Sequence, residues 1–352
     1  MNSFLKSTHC KNWIKTEEEL KKIEKTKVEK ILVRINEINK AIEIENEEKS
    51  RSNSFDKEHF QQYVKLKKYF DLEKEKLFII NYSNKLIRIL NPLKQSTSLK
   101  ATTVSYFRRF YLKKSILDYN PEYLIVAAFF LGAKVAQIDL PLEKIELLFT
   151  YIKGNYKKLF DYEFFLSTIL DYNFYVYNPY HALYGLIYIL EQKKFFLGQN
   201  TENYINQEQF KQECMDIIDK MLLTDNIFLY THSEIALTSI FMKLKEKNLN
   251  IINIAEKMEL DKVINVKEFL EGPFEKMKKN LDSLPKYESV EEEEKACGDI
   301  YKMASSFLKK YPVYQKKLEE ERAVLKQKMK DFSNDFDVLL RAKGLDGNKK
   351  EK

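Results

Sequence analysis

The chain has 352 residues, of which 44% are hydrophobic, and it contains only 8 glycines and 7 prolines. Long helical patterns with little strand-like alternation predict an all-α protein of one large or two ordinary domains. The net charge is +7, a small excess among 60 basic and 53 acidic residues, so the sequence gives little reason to expect nucleic-acid binding.

Several common classes of protein and of functional site do not fit the sequence. The three cysteines (Cys10, Cys214 and Cys297) lie far apart, which predicts neither a metal site nor a disulfide framework and favours a reducing compartment. There is no recognisable signal peptide, and the longest uncharged apolar run, residues 123–133, is too short for a membrane span, so no membrane partner is expected. Glycine-rich phosphate loops, the GxSxG motif and paired histidine ligands are missing, which favours a regulatory protein without catalytic residues, cofactor or metal.

In chain order, residues 1–15 are expected to be a loose terminus whose Trp13 packs onto the body of the protein. Thr16 and Glu19 match a capping box, which predicts the start of a long amphipathic helix reaching Ile44. This helix could lie on the body with its charged face solvated, or it could contact a partner. Residues 45–56 are polar and are expected to form a linker.

The segment Ser98–Val135 holds the clearest helical patterns. Leu99–Leu112 places its apolar residues at three- and four-residue spacing. Pro121 suits the first position of a second helix, Glu122–Val135, which is apolar on almost every side and is therefore expected to be buried.

This segment carries a resemblance to a known family. The sequence YFRRFYL, followed by a turn and an apolar helix that ends in AK, resembles the cyclin box. The phrases NPY at Asn178–Tyr180 and LTDNIFLYTHSEIALTSI at Leu223–Ile240 are closer to the cyclin H group than to cyclins in general, and NWIKTEEEL at Asn12–Leu20 also fits. The resemblance covers roughly residues 12–285.

The resemblance implies two tandem five-helix cyclin boxes with additional N- and C-terminal helices. The expected domains are an N-terminal helix and linker (1–70), cyclin box 1 (71–178), cyclin box 2 (179–285), and C-terminal helices with a disordered tail (286–352). The helices expected in the boxes are 72–90, 99–112, 122–135, 142–152 and 158–173, then 181–191, 207–222, 233–247, 251–258 and 266–281. Beyond them, the acidic run 291–294 is expected to start a helix, a second helical pattern covers 313–338, and the chain past 341 is expected to be disordered.

The resemblance also implies a kinase-binding site. Lys134 and Glu163 have the separation of the lysine and glutamate with which cyclins hold the regulatory helix of their kinase; the alternative is an incidental pair of surface charges. Around them, Tyr123, Val135, Tyr172 and Phe174 match the apolar floor of the cyclin–kinase interface, or some of them are simply core.

The sequence departs from the wider family in three places. Ala136 and Gln137 replace the usual acidic pair, and Arg108 stands where an aspartate is common outside the cyclin H group. The substrate-docking motif of cell-cycle cyclins is missing from residues 76–90, which puts substrate recruitment by that patch in doubt.

The function implied is that of a non-catalytic subunit that binds and activates a cyclin-dependent kinase of the CDK-activating type. Such a complex would phosphorylate kinase activation loops and the C-terminal domain of RNA polymerase II. A RING-finger assembly factor and TFIIH are further implied partners, and the nucleus is the implied compartment, with the cytoplasm as a second one. The alternatives are a cyclin of the C or K type, a DNA-binding protein of the TFIIB kind, or a helical scaffold without a kinase partner.

Overall fold

The computed structural model describes residues 2–31, 33, 72–91, 96–139, 156–196 and 206–296, and a few positions between 298 and 327. Within these ranges the regular structure is helical and contains no strand, which confirms the all-α fold. The N-terminal helices are α1 (Asn2–Lys6), α2 (Thr8–Trp13) and α3 (17–31). The next four are α4 (Leu72–Leu90), α5 (Thr97–Lys113), α6 (Pro121–Val135) and α7 (Tyr156–Ile169).

The second half of the chain is also helical. It contains α8 (Pro179–Gln192), α9 (Gln207–Leu222), α10 (Asn226–Leu229), α11 (His232–Glu246) and α12 (Ile251–Lys257). A short 3₁₀ turn at Leu260–Lys262 leads to α13 (Val266–Phe269), a π-helical segment (Leu270–Phe274) and α14 (Glu275–Asp282), and α15 covers 290–296.

Local side-chain chemistry explains where these helices start. Asn120 and Asn178 each precede a proline at the first helical position, and each accepts a backbone N–H two residues later with its side-chain oxygen. Thr231 and Glu234 form a reciprocal capping box at the start of α11. The helix expected at 158–173 ends instead at Ile169, because Asp171 and Tyr172 take left-handed backbone conformations that the helical pattern did not reveal.

Each half is built around one buried helix. In the first half, α6 packs against both α5 and α7; in the second half, α11 packs against both α8 and α9. Gly132 in α6 permits a close approach to α5, since a Cβ there would lie 3.1 Å from both Leu99 Cδ1 and Thr103 Oγ1. The cores of the two halves join into one continuous cluster of buried residues.

The N-terminus is ordered rather than loose. It forms α1 and α2, and Trp13 at the end of α2 is only 2% exposed. The guanidinium carbon of Arg109 lies 4.7 Å from the centre of the indole ring, and Lys113 Nζ lies 4.8 Å from it. The prediction that Trp13 packs onto the body is therefore confirmed, while the prediction of a loose terminus is wrong.

Helix α3 lies on the body of the protein, which is one of the two placements expected for it. Lys27 is buried, forms a 2.9 Å ion pair with Glu75 of α4, and donates to the backbone oxygen of Tyr111 at 3.1 Å. Leu20 packs with Leu112 and Phe228, which belong to different halves of the molecule. A buried ion pair backed by apolar contacts fixes the position of this helix.

On the C-terminal side, α15 contains the acidic run, and Glu293 accepts hydrogen bonds from Arg88 (2.9 Å) and Asn84 (3.0 Å) of α4. Of the pattern predicted over 313–338, the few described positions from 319 to 327 are helical. Four other predictions lie outside the described residues: the end of the N-terminal helix, the linker at 45–56, the helix at 142–152 and the tail beyond 341.

Candidate functional site

The structure brings together the two charged residues that the sequence singled out. Lys134 Nζ donates to Glu163 Oε1 at 2.6 Å, from the last turn of α6 to the middle of the neighbouring α7. The lysine side chain is 57% exposed and the glutamate 16%. One partner is thus open to solvent while the other is largely covered, so a bound protein could reach the pair from one side.

The position of the pair follows from the burial of α6. Leu131, Gly132 and Ala133 are all buried, and Lys134 is the first residue of the last turn to leave the core. Glu163 is fixed by the packing of its neighbours Tyr162 and Phe165, which are buried against the first-half core. Two rigid helices therefore hold the ion pair at the rim.

Tyr123 lies in the first turn of α6, near the end of that helix opposite to Lys134. Its ring stacks on that of Tyr162, with 5.3 Å between ring centres and 30° between the planes. Partial burial raises the pKa of Tyr123, so its hydroxyl stays protonated and able to donate at neutral pH. Tyr162 is held in turn by its hydroxyl, which accepts from the backbone N–H of Asn120 at 2.8 Å.

Of the remaining predicted contact residues, Val135 is the last residue of α6, and Tyr172 and Phe174 follow the end of α7. Val135 is 40% exposed and Tyr172 48% exposed. Phe174 is half-buried, and its backbone oxygen accepts the Tyr106 hydroxyl at 2.5 Å. Each of the four apolar or aromatic residues keeps some exposed surface, and Tyr123 and Phe174 also pack against the core.

Sequence reasoning missed a further exposed aromatic residue beside the pair. Phe160 is 66% exposed and precedes Glu163 by three positions on α7, so both lie on the same helix face. An aromatic residue that falls outside the apolar stripe of an amphipathic helix is the signal that could have identified it.

Among the described residues, no cluster of three or more His, Cys, Asp or Glu side chains is placed to hold a metal ion. The described helices also include none with the length and hydropathy needed to cross a bilayer. What the surface around Lys134 offers is a charged pair beside exposed apolar groups, an arrangement suited to binding another protein.

Comparison with known proteins gives consistent matches. Residues 178–265 match the family described as Cyclin C-terminal domain. The cyclin mcs2 of Schizosaccharomyces pombe is 26% identical over 245 residues, which is 68% of this chain and 69% of that protein. Cyclin-H of Xenopus laevis is 27% identical over 195 residues, 53% of this chain and 58% of that protein, and cyclin CCL1 of Saccharomyces cerevisiae is 25% identical over 48% of this chain.

Solved structures share the fold. A chain in the CAK complex from Chaetomium thermophilum, solved with ATP-gamma-S, aligns with a TM-score of 0.62 at 18% identity, covering 93% of this chain and 94% of that one. A chain of the yeast TFIIK complex (Kin28/Ccl1/Tfb3) aligns with a TM-score of 0.55 at 19% identity, covering 79% of this chain and 99% of that one.

The curated relatives are matched over part of their length, since the chain spans 42% of CCL1, 58% of the Xenopus cyclin-H and 69% of mcs2. The short matching sequence segments, the order of the helices and the fold are nevertheless consistent with one another. Residues 178–265 are thus similar to the cyclin C-terminal domain, and the proteins to which the chain is similar include several named cyclin H.

Proposed function

We propose that this chain is the regulatory subunit of a cyclin-dependent kinase of the CDK-activating type. The observation that carries the proposal is the Lys134–Glu163 pair, held at 2.6 Å on the rim of the first cyclin box. Val135 adjoins Lys134, Phe160 shares a face of α7 with Glu163, and Tyr172 follows the end of α7; these exposed side chains supply apolar area for a protein interface.

The mechanism is a shift between two states of the kinase. An active protein kinase needs the glutamate of its regulatory helix to pair with the lysine that positions ATP. Lys134 and Glu163 offer a donor and an acceptor to backbone and polar groups near that helix, which would hold it inward. The cyclin contributes differential binding to the active state and takes no part in the chemical step.

The names of similar proteins support the assignment to a CDK-activating complex. Yeast CCL1 is 25% identical to this chain, and Ccl1 is named beside Kin28 and Tfb3 in the TFIIK complex. We propose by analogy a cyclin-dependent kinase partner, a RING-finger assembly factor, association with TFIIH and a nuclear location. Kinase activation loops and the C-terminal domain of RNA polymerase II are the proposed substrates of the assembled kinase.

The test is the double substitution Lys134→Ala with Glu163→Ala, assayed in the full chain with its co-purified kinase. Truncating a charged contact at an interface costs about 2–5 kcal/mol of binding free energy, so activation should fall by about 30-fold or more at limiting cyclin. The measurement is a titration of kinase activity against cyclin concentration.

A matched control removes an ion pair of the same kind elsewhere. Lys245 and Glu275 pair at 3.3 Å in the second half, and both side chains are about half exposed. Lys245→Ala with Glu275→Ala should leave activation unchanged, because a surface pair contributes only about 0–1 kcal/mol to stability. If the Lys134/Glu163 variant is folded and activates normally, the assigned surface is wrong.

A cyclin of the C type is the second candidate. The observation in its favour is a 31% identity over 126 residues to cyclin-C1-1 of Oryza sativa, although the match covers 33% of this chain. Identifying the co-purified kinase by mass spectrometry separates the two, since each cyclin type should retain its own kinase.

A further inference from the structure

A groove outside the candidate kinase surface is lined by more basic than acidic groups. It lies between α3 and the C-terminal ends of α5 and α7 and has a volume of about 470 Å³. Lys22, Thr26 and Lys30 form one wall, and Lys113, Lys114 and Thr168 form the other. Five lysines but only two aspartates line the groove in all, so its field favours an anion.

Two of these lysines are already neutralised within the protein. Lys27 is buried against Glu75, and Lys113 Nζ lies 2.9 Å from Asp171 and 3.0 Å from the backbone oxygen of Ile169. Asp171 is thereby also neutralised, and the other acidic residue of the groove, Asp118, is buried. Positive charge thus remains at the open side of the groove.

Lys22 and Lys30 supply that charge. Both are exposed, and neither forms an ion pair with any residue in the described part of the chain. Lys22, Thr26 and Lys30 follow one another at intervals of four residues along α3, so their side chains lie on one helix face. The outer two Cα atoms are about 12 Å apart along the axis, and each long lysine side chain can reach a group midway between them.

The wall that carries them is rigid. Lys27 and Ile31 on the same helix are buried, and Lys76 of α4 pairs with Glu24 of α3 at 2.9 Å. A lysine held on a fixed helix loses less freedom on binding than one on a loose segment. The hydroxyls of Thr26 and Thr168 already donate to the backbone oxygens of Lys22 and Phe164, so binding of a phosphate group rests on the lysines.

We propose that this groove binds a phosphorylated peptide segment, with the phosphate held by Lys22 and Lys30. A phosphorylated residue carries about −1.5 to −2 charges and three strong acceptor oxygens, and lysine binds such a group as a point charge. The remaining length of the groove accommodates the flanking peptide. The groove shares no lining residue with the Lys134 surface, although its Asp171 directly precedes Tyr172, and the proposal does not depend on the proposed kinase partner.

The test uses the full chain and two fluorescent pools of degenerate peptides. One pool has a central phosphothreonine and the other an unmodified threonine at the same place. Fluorescence anisotropy should show the phosphorylated pool binding about tenfold or more tightly, a difference of about 1.4 kcal/mol. The preference should weaken as salt is raised, because the lysines are exposed.

Charge reversal at the groove should abolish the preference. Lys22→Glu with Lys30→Glu should reduce binding of the phosphorylated pool to the level of the unmodified pool. Lys21→Glu with Lys25→Glu is the matched control, since it makes the same charge change on exposed positions of α3 that do not line the groove. The control should bind within about twofold of the wild type, because its lysines do not contact the peptide. If reversal perturbs the helix, Lys22→Gln with Lys30→Gln repeats the test.

Three results would overturn the proposal. The first is equal binding of the two peptide pools. The second is an equal loss of binding in the groove variant and the control, which would mean that net charge alone is sensed. The third is tighter binding of a single-stranded RNA than of the phosphorylated pool, which would point to the wrong class of ligand. Displacement of the phosphorylated pool by millimolar inorganic phosphate would support recognition of the phosphate group itself.

Discussion

At the scale of single residues, His9 links the N-terminus to the junction between the two halves. Its Nδ1 accepts the backbone N–H of Tyr177 at 2.8 Å, and its ring lies beside Phe4 and Tyr177. Burial, together with the positive charge of Arg109 and the nearby His232, lowers the pKa of His9 to about 2. Burial also lowers the pKa of His232, so both rings are neutral in the folded protein at neutral pH.

This arrangement predicts that acid destabilises the N-terminal contact. The unfolded chain binds a proton at His9 near pH 6.5, whereas the folded chain resists protonation down to about pH 2. The free energy of unfolding should therefore be unaffected by His9 above pH 6.5 and should fall by about 1.4 kcal/mol for each pH unit below it.

The variant His9→Asn isolates this effect. Its side-chain oxygen can still accept from Tyr177, but it does not titrate. Urea unfolding of both proteins at pH 7 and pH 5 provides the measurement, and the wild type should lose more stability than the variant. Equal losses would mean that His9 is accessible to protons in the folded state.

At the scale of elements, α3 depends on the buried pair of Lys27 and Glu75. Glu75 also accepts the backbone N–H of Ile116 at 2.9 Å, so one carboxylate ties α3 and α4 to the loop after α5. Removing the lysine alone would leave a carboxylate buried without its counter-charge, which is among the costly changes a protein can suffer.

Lys27→Met should therefore lower the free energy of unfolding by about 3–5 kcal/mol. Adding Glu75→Gln should recover part of that loss, because glutamine is uncharged and can still accept from Ile116. Equilibrium denaturation of the single and double variants gives the comparison. Lys25→Met, at an exposed position 4.0 Å from Glu29, is the control and should change stability by less than about 0.5 kcal/mol.

The same region shows what a sequence can and cannot predict about this fold. The capping box at Thr16 and the apolar spacing of Leu20 and Ile31 are local signals, and they correctly predict α3. That Lys27 is buried could not be predicted, since its partner Glu75 is distant in the chain and a lysine on an amphipathic helix is normally solvated. The ordered α1 and α2 were missed for a similar reason, as their stability comes from contacts with Arg109 and Tyr177 rather than from helix propensity.

The candidate site likewise combines features that the sequence predicts with features that depend on tertiary packing. The spacing of Lys134 and Glu163 could be matched to a family pattern, and the structure places the two side chains in contact. Their role in binding a kinase stays a prediction. The exposure of Phe160 and the lysine groove beside α3 depend on how separate helices pack, which no single stretch of sequence specifies.

At the scale of the whole molecule, the two halves are joined by polar contacts as well as by a shared core. Asp219 of α9 accepts from Lys100 of α5, with 2.7 Å between the charged groups, and from the hydroxyl of Tyr180 in α8. Arg108 of α5 pairs with Asp225 at 2.7 Å beside α10. The arginine that departs from the wider family thus has a structural partner in the second half.

Asp219→Ala should weaken this junction by leaving Lys100 and Tyr180 without their shared acceptor. We expect a loss of about 2–4 kcal/mol, with the calorimetric transition broadening or splitting as the halves unfold less cooperatively. Asp216→Ala on the same helix is the control, because Asp216 is exposed and accepts only from nearby Gln212 among the described residues. A sharp, unshifted transition for Asp219→Ala would mean that the apolar contacts alone couple the halves.

The position of Trp13 also gives the protein a built-in optical probe. The sequence contains a single tryptophan, and the structure places it between the N-terminal helices and the cationic side chains of Arg109 and Lys113. Its emission therefore arises from one place, so a shift to longer wavelength would record detachment of the N-terminus without any added label. Events at this boundary, including the binding of a partner or a fall in pH, could be followed in real time on the unmodified chain.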